Sequence, residues 1–431
     1  MEMYNELAMK LNQVIETQDA NIYKMLSELG KSMFFPKGIV SQGIEAQQKA
    51  HRFNATIGMA TEDRQPMHLS LFQEKLSAYD PKDLYPYAPP AGKMELRQEW
   101  KKKLVRDNPS LANKEFSLPI VTSSLTHGLS IVGDLFLEEG DTVVVPEKFW
   151  DNYNLTFDVR HRSHQVTYPL FTANNTFNVK GMEEAIFACT GGKVVIVLNF
   201  PHNPTGYTPS EQEVTEILTA IEKAADAGIS VIAVADDAYF GLVYEGSFKE
   251  SIFARLVGMH PRVLPIKIDG ATKEHFAWGF RIGFLTFGVT DKAVQDALEN
   301  KVMGAIRGSV SSSSHPGQTF VLDALQNPNF EQQRQRNFTV MESRWKRVKE
   351  IVSNEKYRDA FEPYPFNSGY FVCLKLKSVK AERLREHLLQ RYGVGVISIG
   401  ETDIRIAFSC VDEADLGELF ELVYQGCKEL G

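Results

Sequence analysis

Residues 194–206 read VVIVLNFPHNPTG, an unbroken apolar run followed at once by a polar turn. Consecutive apolar residues, most of them β-branched, are typical of a strand that is buried on both faces of a sheet. The run ends at Asn199, and the Asn-Pro and Thr-Gly pairs of residues 203–206 favour a turn. This stretch predicts a central strand whose carboxyl end carries polar groups.

Similar apolar runs flank this strand and alternate with helical patterns. They lie at residues 118–121, 142–145, 231–235, 264–268 and 282–286. Buried strands separated by helices form a mostly parallel sheet that is covered on both faces. We therefore predict an α/β fold with a large domain over residues 61–310 and a smaller α+β domain. The smaller domain is expected to combine an N-terminal arm, residues 1–60, with residues 311–431, and residues 5–30 predict one amphipathic helix that ends at Gly30.

The composition excludes several classes of protein. The chain has 431 residues, of which 43% are hydrophobic and 24% charged, so it can bury a large core. Its formal net charge of −8 argues against general binding to nucleic acid or to a membrane surface. Its cysteines are far apart and lack the spacing of a metal site: Cys189, Cys373, Cys410 and Cys427. Without a signal-peptide pattern or an apolar stretch of membrane-spanning length, we expect a cytoplasmic protein.

Polar side chains follow several of the predicted strands. Asp236 and Tyr239 come after the run at residues 231–235, and Lys273 comes after the run at residues 264–268. Ligands of parallel sheets bind beyond the carboxyl ends of the strands. Asp236 alone could be a helix N-cap and Lys273 alone a surface lysine. Together they predict one shared site.

This set of residues resembles the pyridoxal-phosphate (PLP) enzymes of fold type I, in particular the class I aminotransferases, of which aspartate aminotransferase is the best known. The resemblance extends from about Asn54 to Phe408. The motifs that carry it are Asn203-Pro204-Thr205-Gly206, Asp236-x-x-Tyr239, and Lys273 followed eight residues later by Arg281 in Gly279-x-Arg281-x-Gly283. It implies a seven-stranded sheet, PLP as the cofactor and a homodimer with shared active sites.

The resemblance implies three catalytic residues. Lys273 matches the Schiff-base lysine, which also moves a proton at the substrate's α-carbon. Asp236 matches the carboxylate that keeps the pyridine nitrogen of the cofactor protonated. Tyr239 matches the tyrosine that, with Asn203, bonds the cofactor's phenolic oxygen.

The phosphate of the cofactor needs donors. Ser124, Leu125 and Thr126 match the phosphate loop of the family, and a helix N-terminus of this kind binds phosphate. Arg281 adds a guanidinium. The family often has a hydroxyl residue three positions before the lysine, whereas this chain has Gly270 there. One contact is therefore expected to be lost, unless Thr272 or Ser123 replaces it.

Two aromatic residues match the family less specifically. Trp150 matches the residue that stacks on the PLP ring, although it could be a core residue and Phe149 could stack instead. Tyr87 matches a tyrosine that reaches the phosphate of the neighbouring subunit, although it could equally be a turn residue.

Substrate recognition is assigned to arginines. Arg405, in the middle of an apolar run, matches the clamp on the substrate's α-carboxylate, with Gly58 and Asn203 close to it. Arg307 matches an arginine that binds a distal carboxylate across the dimer, although a solvated arginine at a helix end is the alternative.

The implied function is transfer of an amino group from an L-amino acid, aspartate or another dicarboxylic one, to a 2-oxo acid such as 2-oxoglutarate. Two alternatives remain: a PLP-dependent lyase or synthase on the same fold, and a transcription regulator with an aminotransferase-like domain. The net charge and the lack of a DNA-binding domain before residue 54 argue against the regulator.

Overall fold

The computed structural model of the chain describes residues 4–18, 23, 26, 28–32, 39–56, 58–63, 65–75, 78–189 and 191–431. The strands are, in chain order, β1 (Phe53–Asn54), β2 (Thr61–Glu62), β3 (Gln65–Pro66), β4 (Ile120–Ser123), β5 (Thr142–Pro146), β6 (His164–Tyr168), β7 (Lys193–Asn199), β8 (Ser230–Asp236), β9 (Val263–Gly270), β10 (Ile282–Phe287), β11 (Phe361–Pro363), β12 (Phe371–Leu376), β13 (Val394–Gly395), β14 (Ile397–Ile399) and β15 (Asp403–Ala407).

The α-helices are α1 (Glu6–Gln18), α2 (Glu28–Ser32), α3 (Ile39–Lys49), α4 (Ser70–Lys75), α5 (Pro81–Leu84), α6 (Met94–Asp107), α7 (Ser124–Phe136), α8 (Val179–Phe187), α9 (Glu211–Asp226), α10 (Ile252–Leu256), α11 (Ala271–Glu274), α12 (Lys292–Ser309), α13 (His315–Gln326), α14 (Phe330–Val352), α15 (Ala381–His387) and α16 (Leu416–Leu430). Among the described helices, none combines the length and the apolar character that a membrane crossing requires.

A seven-stranded sheet, in the order β4-β10-β9-β8-β7-β5-β6, forms the centre of the large domain. All of its strands run parallel except β10, which is antiparallel to both neighbours. The prediction of a mostly parallel sheet is therefore confirmed. The apolar run at residues 194–198 lies in β7, which pairs with β8 from Lys193 opposite Ser230 to Asn199 opposite Asp236. This register brings the polar ends of the two strands to the same edge of the sheet.

The smaller domain is built on a four-stranded antiparallel sheet, in the order β11-β12-β15-β14. The N-terminal segment joins it, because β1 pairs in parallel with β13, with Phe53 opposite Val394. Helix α13, just after the predicted boundary at residue 310, packs its Val321 and Ala324 into the same apolar core as Trp100 of the large domain. The boundary itself stays a prediction.

The N-terminal helix differs from the prediction. Helix α1 ends at Gln18, and residues 19–22, 24, 25 and 27 of the predicted 5–30 helix lie outside the described residues. Gly30 does not end a helix, because α2 continues to Ser32. An i,i+3 ion pair between Lys31 and Glu28 spans this last turn, and Asn12 donates its Nδ2 to the carbonyl of Lys31 at 2.9 Å.

Candidate active site

A cavity of about 280 Å³ lies at the carboxyl ends of β7, β8 and β9. Residues from both domains line it: Gly58, Ser124, Leu125, Thr126, Trp150, Asn199, Asn203, Asp236, Ala238, Tyr239, Lys273, Arg281, Phe371 and Arg405. The structure thus brings together the predicted site residues in one place, with two exceptions. Tyr87 and Arg307 lie elsewhere on the chain.

Lys273 lies in the short helix α11, immediately after β9. Its Nζ is 5.1 Å from the centre of the Tyr239 ring. Burial lowers the pKa of Lys273 to about 8, and the charge of Asp236 opposes this shift while that of Arg281 adds to it. A lysine with such a pKa is partly neutral near pH 7, so it can act as a nucleophile or accept a proton.

Asp236, the last residue of β8, has two different carboxylate oxygens. Tyr153 donates its hydroxyl to Oδ2 at 2.5 Å, whereas the buried Oδ1 has no partner among the described residues. Burial raises the pKa of Asp236 to about 6, although the Tyr153 bond and the charge of Lys273 act against this. Because Asp236 lines the cavity, an N–H group of a bound molecule can satisfy the free oxygen.

Arg405 of β15 closes the cavity from the smaller domain. Its guanidinium donates Nη1 to Oδ1 of Asn203 and Nη2 to the carbonyl of Thr56, both at 2.8 Å, and lies 4.2 Å from the centre of the Phe371 ring. The Asn203 loop can approach β12 this closely because Gly206 has a φ of +77°, and a Cβ there would overlap the Phe371 carbonyl oxygen. The arginine is therefore held at a fixed place facing the cavity.

Ser124, Leu125 and Thr126 form the first turn of α7, so their backbone N–H groups have no partner within the helix. Ser124 has a positive φ of 69°. The turn packs on Gly283 of β10, where a Cβ would lie 2.6 Å from the carbonyl carbon of Ser124. With Arg281 at the same cavity, this turn can hold an anion.

A larger residue is excluded at Gly270 by its neighbours. A Cβ there would lie 2.5 Å from a backbone carbonyl oxygen of β10. The buried Thr272 brings its Oγ1 within 3.3 Å of the Ser124 Oγ, whereas the Ser123 Oγ lies 3.4 Å from another serine hydroxyl. Of the two replacements expected from the sequence, Thr272 is the one whose hydroxyl lies beside Ser124, a residue of the predicted phosphate loop.

The two candidate stacking residues differ in their surroundings. Trp150 lines the cavity and meets the Tyr153 ring edge-on, with 5.6 Å between the ring centres. Phe149 instead stacks on the Tyr153 ring at 6.2 Å and is not part of the lining. The geometry favours Trp150 as the aromatic surface of the site.

Tyr87 and Arg307 do not reach the cavity of their own chain. Tyr87 is 92% exposed, and Arg307 is exposed near the end of α12, where its Nη1 donates to the Ser311 Oγ at 2.5 Å. Their roles across a dimer stay predictions.

Asn199, Tyr153 and Phe371 shape the site, although no role is predicted for them from the sequence. Asn199 donates its Nδ2 to the carbonyl of Asp236 at 2.8 Å and accepts a hydrogen bond from the backbone N–H of Asn203 at 2.9 Å. Its position at the end of a predicted strand could have identified it as a site residue. Tyr153 and Phe371 resemble ordinary core aromatics in the sequence, so nothing marked them.

Comparison with known proteins agrees with this geometry. The family "Aminotransferase class I and II" matches residues 60–423. An aspartate aminotransferase of Bacillus sp. (strain YM-2) is 28% identical over 199 residues, which are 46% of this chain and 47% of the relative. A probable N-acetyl-LL-diaminopimelate aminotransferase of Bacillus subtilis (strain 168) is 23% identical over 334 residues, 75% of this chain and 77% of that protein. The chain thus spans about half the length of the first of these relatives.

Solved structures share the fold. An aminotransferase from Anaerococcus prevotii DSM 20548 superposes with a TM-score of 0.82 at 22% identity, covering 93% of this chain and 98% of that one. Pyrococcus horikoshii kynurenine aminotransferase, solved in complex with PMP, gives a TM-score of 0.78 at 20% identity over 95% and 98% of the two chains. Because the family match extends over most of the sequence, the chain belongs to the class I and II aminotransferases.

Proposed function

We propose that the protein is a PLP-dependent aminotransferase that moves the amino group of an L-amino acid to a 2-oxo acid. The observation that carries this proposal is that one cavity holds both Lys273, whose pKa is lowered, and Asp236, whose Oδ1 has no partner among the described residues. Arg405 lines the same cavity from the smaller domain. Membership of the aminotransferase family supports it.

The residues of the cavity fit PLP. The unpartnered Oδ1 of Asp236 matches a protonated ring nitrogen, and the first turn of α7 with Arg281 matches a phosphate. When bound, PLP supplies an electron-accepting ring for the substrate's α-carbon. Lys273 would hold the cofactor and would then carry the proton to and from that carbon. Trp150 and Ala238 line the same cavity and would bound the ring.

Arg405 would bind the α-carboxylate of the substrate. Its two Nη groups donate to oxygen atoms of Asn203 and Thr56. The two oxygens of a carboxylate can accept hydrogen bonds from the same two groups. Among the described lining residues, the cations are Lys273, Arg281 and Arg405. We propose a dicarboxylic substrate, aspartate or a close relative, whose second carboxylate is bound by Arg307 of another copy of the chain in a homodimer.

The test is a half-reaction with purified protein and PLP. Borohydride should fix the cofactor to Lys273, and an amino acid should yield one keto acid per site while the cofactor takes up the amino group. Lys273→Ala should abolish both results, and Lys301→Ala, at an exposed lysine of α12, should change neither. A label on another lysine would refute the assignment, and release of ammonia with pyruvate would identify a lyase.

A further inference from the structure

We propose that the ion pair between Lys148 and Asp403 positions Arg405 for the substrate's carboxylate, an inference that rests on the proposed function. Lys148 belongs to the large domain and follows β5, whereas Asp403 begins β15 of the smaller domain. Neither residue lines the cavity. Both are positioning residues, because they would act through Arg405 and not on the substrate.

The pair shares a strand face with Arg405. Asp403 and Arg405 are two residues apart on β15, so their side chains leave the strand on the same side. Arg405 donates to Asn203 at 2.8 Å, and Asp403 meets the Nζ of Lys148 at 3.2 Å. The strand that carries the substrate-binding arginine is thus tied to the large domain at two points.

The pair is largely buried and its polar atoms have partners. The side chains of Lys148 and Asp403 are 11% and 7% exposed. The second oxygen of Asp403 accepts the Tyr364 hydroxyl at 3.1 Å, and the Lys148 Nζ also lies 2.9 Å from Glu147 and 4.8 Å from the centre of the Tyr364 ring. Burial alone would lower the pKa of Lys148, but the bond to Glu147 and the charge of Asp403 outweigh it and raise the pKa. A buried pair with these extra hydrogen bonds resists separation better than an exposed one.

The large-domain side of the pair leads back to the same site. Lys148 lies two residues before Trp150, which lines the cavity, and the backbone of Lys148 interacts with the His202 ring. His202 directly precedes Asn203, the partner of Arg405. These contacts form a closed ring: Lys148 pairs with Asp403, Arg405 on the same strand β15 bonds Asn203, and His202 beside Asn203 interacts with the Lys148 backbone.

This ring matters when a substrate binds. An incoming carboxylate would compete with Asn203 for the Nη1 of Arg405, which weakens one of the two ties between β15 and the large domain. The Lys148–Asp403 pair lies outside the cavity, so it keeps the strand in place while the guanidinium turns to the substrate. Bidentate recognition of a carboxylate depends on such placement.

The experiment compares the holoenzyme with its Lys148→Met, Asp403→Asn and double variants. KM for every amino acid and 2-oxo acid should rise about tenfold, because breaking a buried pair on one side weakens the placement of Arg405. The maximal half-reaction rate and the cofactor absorbance should stay unchanged. The double variant should be no worse than either single one, since both remove the same interaction. Lys148→Arg should restore KM.

A matched control is available in the pair Lys428–Asp359. It has the same residue types at 3.1 Å, but its side chains are 56% and 54% exposed. Lys428→Met and Asp359→Asn should leave KM unchanged. An alkylamine that lacks a carboxylate should react equally well in all variants.

Several outcomes would overturn the inference. One is an unchanged KM in the variants, and another is a lower maximal rate at constant KM. A third is a loss of reactivity toward the alkylamine that equals the loss toward the amino acids. Asp403→Asn keeps the shape of the side chain and supplies the test if Lys148→Met does not fold. A wild-type enzyme that transfers no amino group would refute the proposed function itself.

Discussion

Asp236 offers the sharpest test at the scale of one residue. Asp236→Ala should still bind PLP but should lower kcat about a hundredfold or more, because a removed electrostatic contact of this kind raises the barrier by roughly 3 kcal/mol. The measurement is kcat for the best amino acid, with cofactor content determined separately. Near-normal turnover would assign the role to another carboxylate.

The neighbouring carboxylates provide the control. Asp237 pairs with Lys267 and accepts the Ser251 hydroxyl at 2.5 Å, and neither Asp237 nor Asp269 lines the cavity. Asp237→Asn should therefore lower the melting temperature, since it leaves the buried Lys267 with one fewer counter-charge, while kcat changes little.

The junction of β9 and α11 places Thr272 beside Ser124, in the first turn of α7. Thr272→Val should weaken PLP binding about threefold to tenfold, because it removes a hydroxyl that adjoins Ser124 and that we assign to the phosphate site. Thr286→Val is the matched control: Thr286 of β10 is also a buried threonine, and its hydroxyl has no partner among the described residues. Equilibrium titration with PLP gives the dissociation constant of each variant. Equal PLP affinities of Thr272→Val and wild type would exclude Thr272 from the phosphate site.

Sequence patterns predict a helix or strand well where one face or both faces of that element are buried. The strand at residues 194–198 and the polar groups after it could be located, because buried strands are continuously apolar and ligands bind at their carboxyl ends. Contacts between distant segments could not be predicted in this way. The Tyr153–Asp236 bond and the clash that excludes a side chain at Gly270 depend on tertiary packing, which no local period encodes.

At the scale of the whole molecule, the question is whether two chains complete one site. Arg307→Ala should lower kcat/KM for aspartate by two orders of magnitude or more relative to phenylalanine, because a desolvated arginine–carboxylate pair broken on one side costs about 3–5 kcal/mol. Arg405→Ala should harm both substrates alike. An unchanged ratio in Arg307→Ala would make Arg307 a surface residue.

Mixing subunits tests the shared site directly. Lys273→Ala dimers and Arg307→Ala dimers, each inactive toward aspartate, are mixed so that they exchange subunits. About half of the resulting dimers are mixed and each of these holds one intact site, so about a quarter of the wild-type activity should return. No regain of activity after exchange would place both residues in the same subunit's site.

The pairing of β1 with β13 has a consequence for how the chain is made. Phe53 leaves the ribosome long before its partner Val394, because more than 300 residues separate them in the chain. The seven-stranded sheet uses only residues 120–287, so it can assemble while the rest of the chain is still being translated. The apolar residues around Phe53, buried in the finished smaller domain, must wait uncovered until then. Such long-range closure slows folding and makes the nascent chain depend on protection from aggregation during that interval.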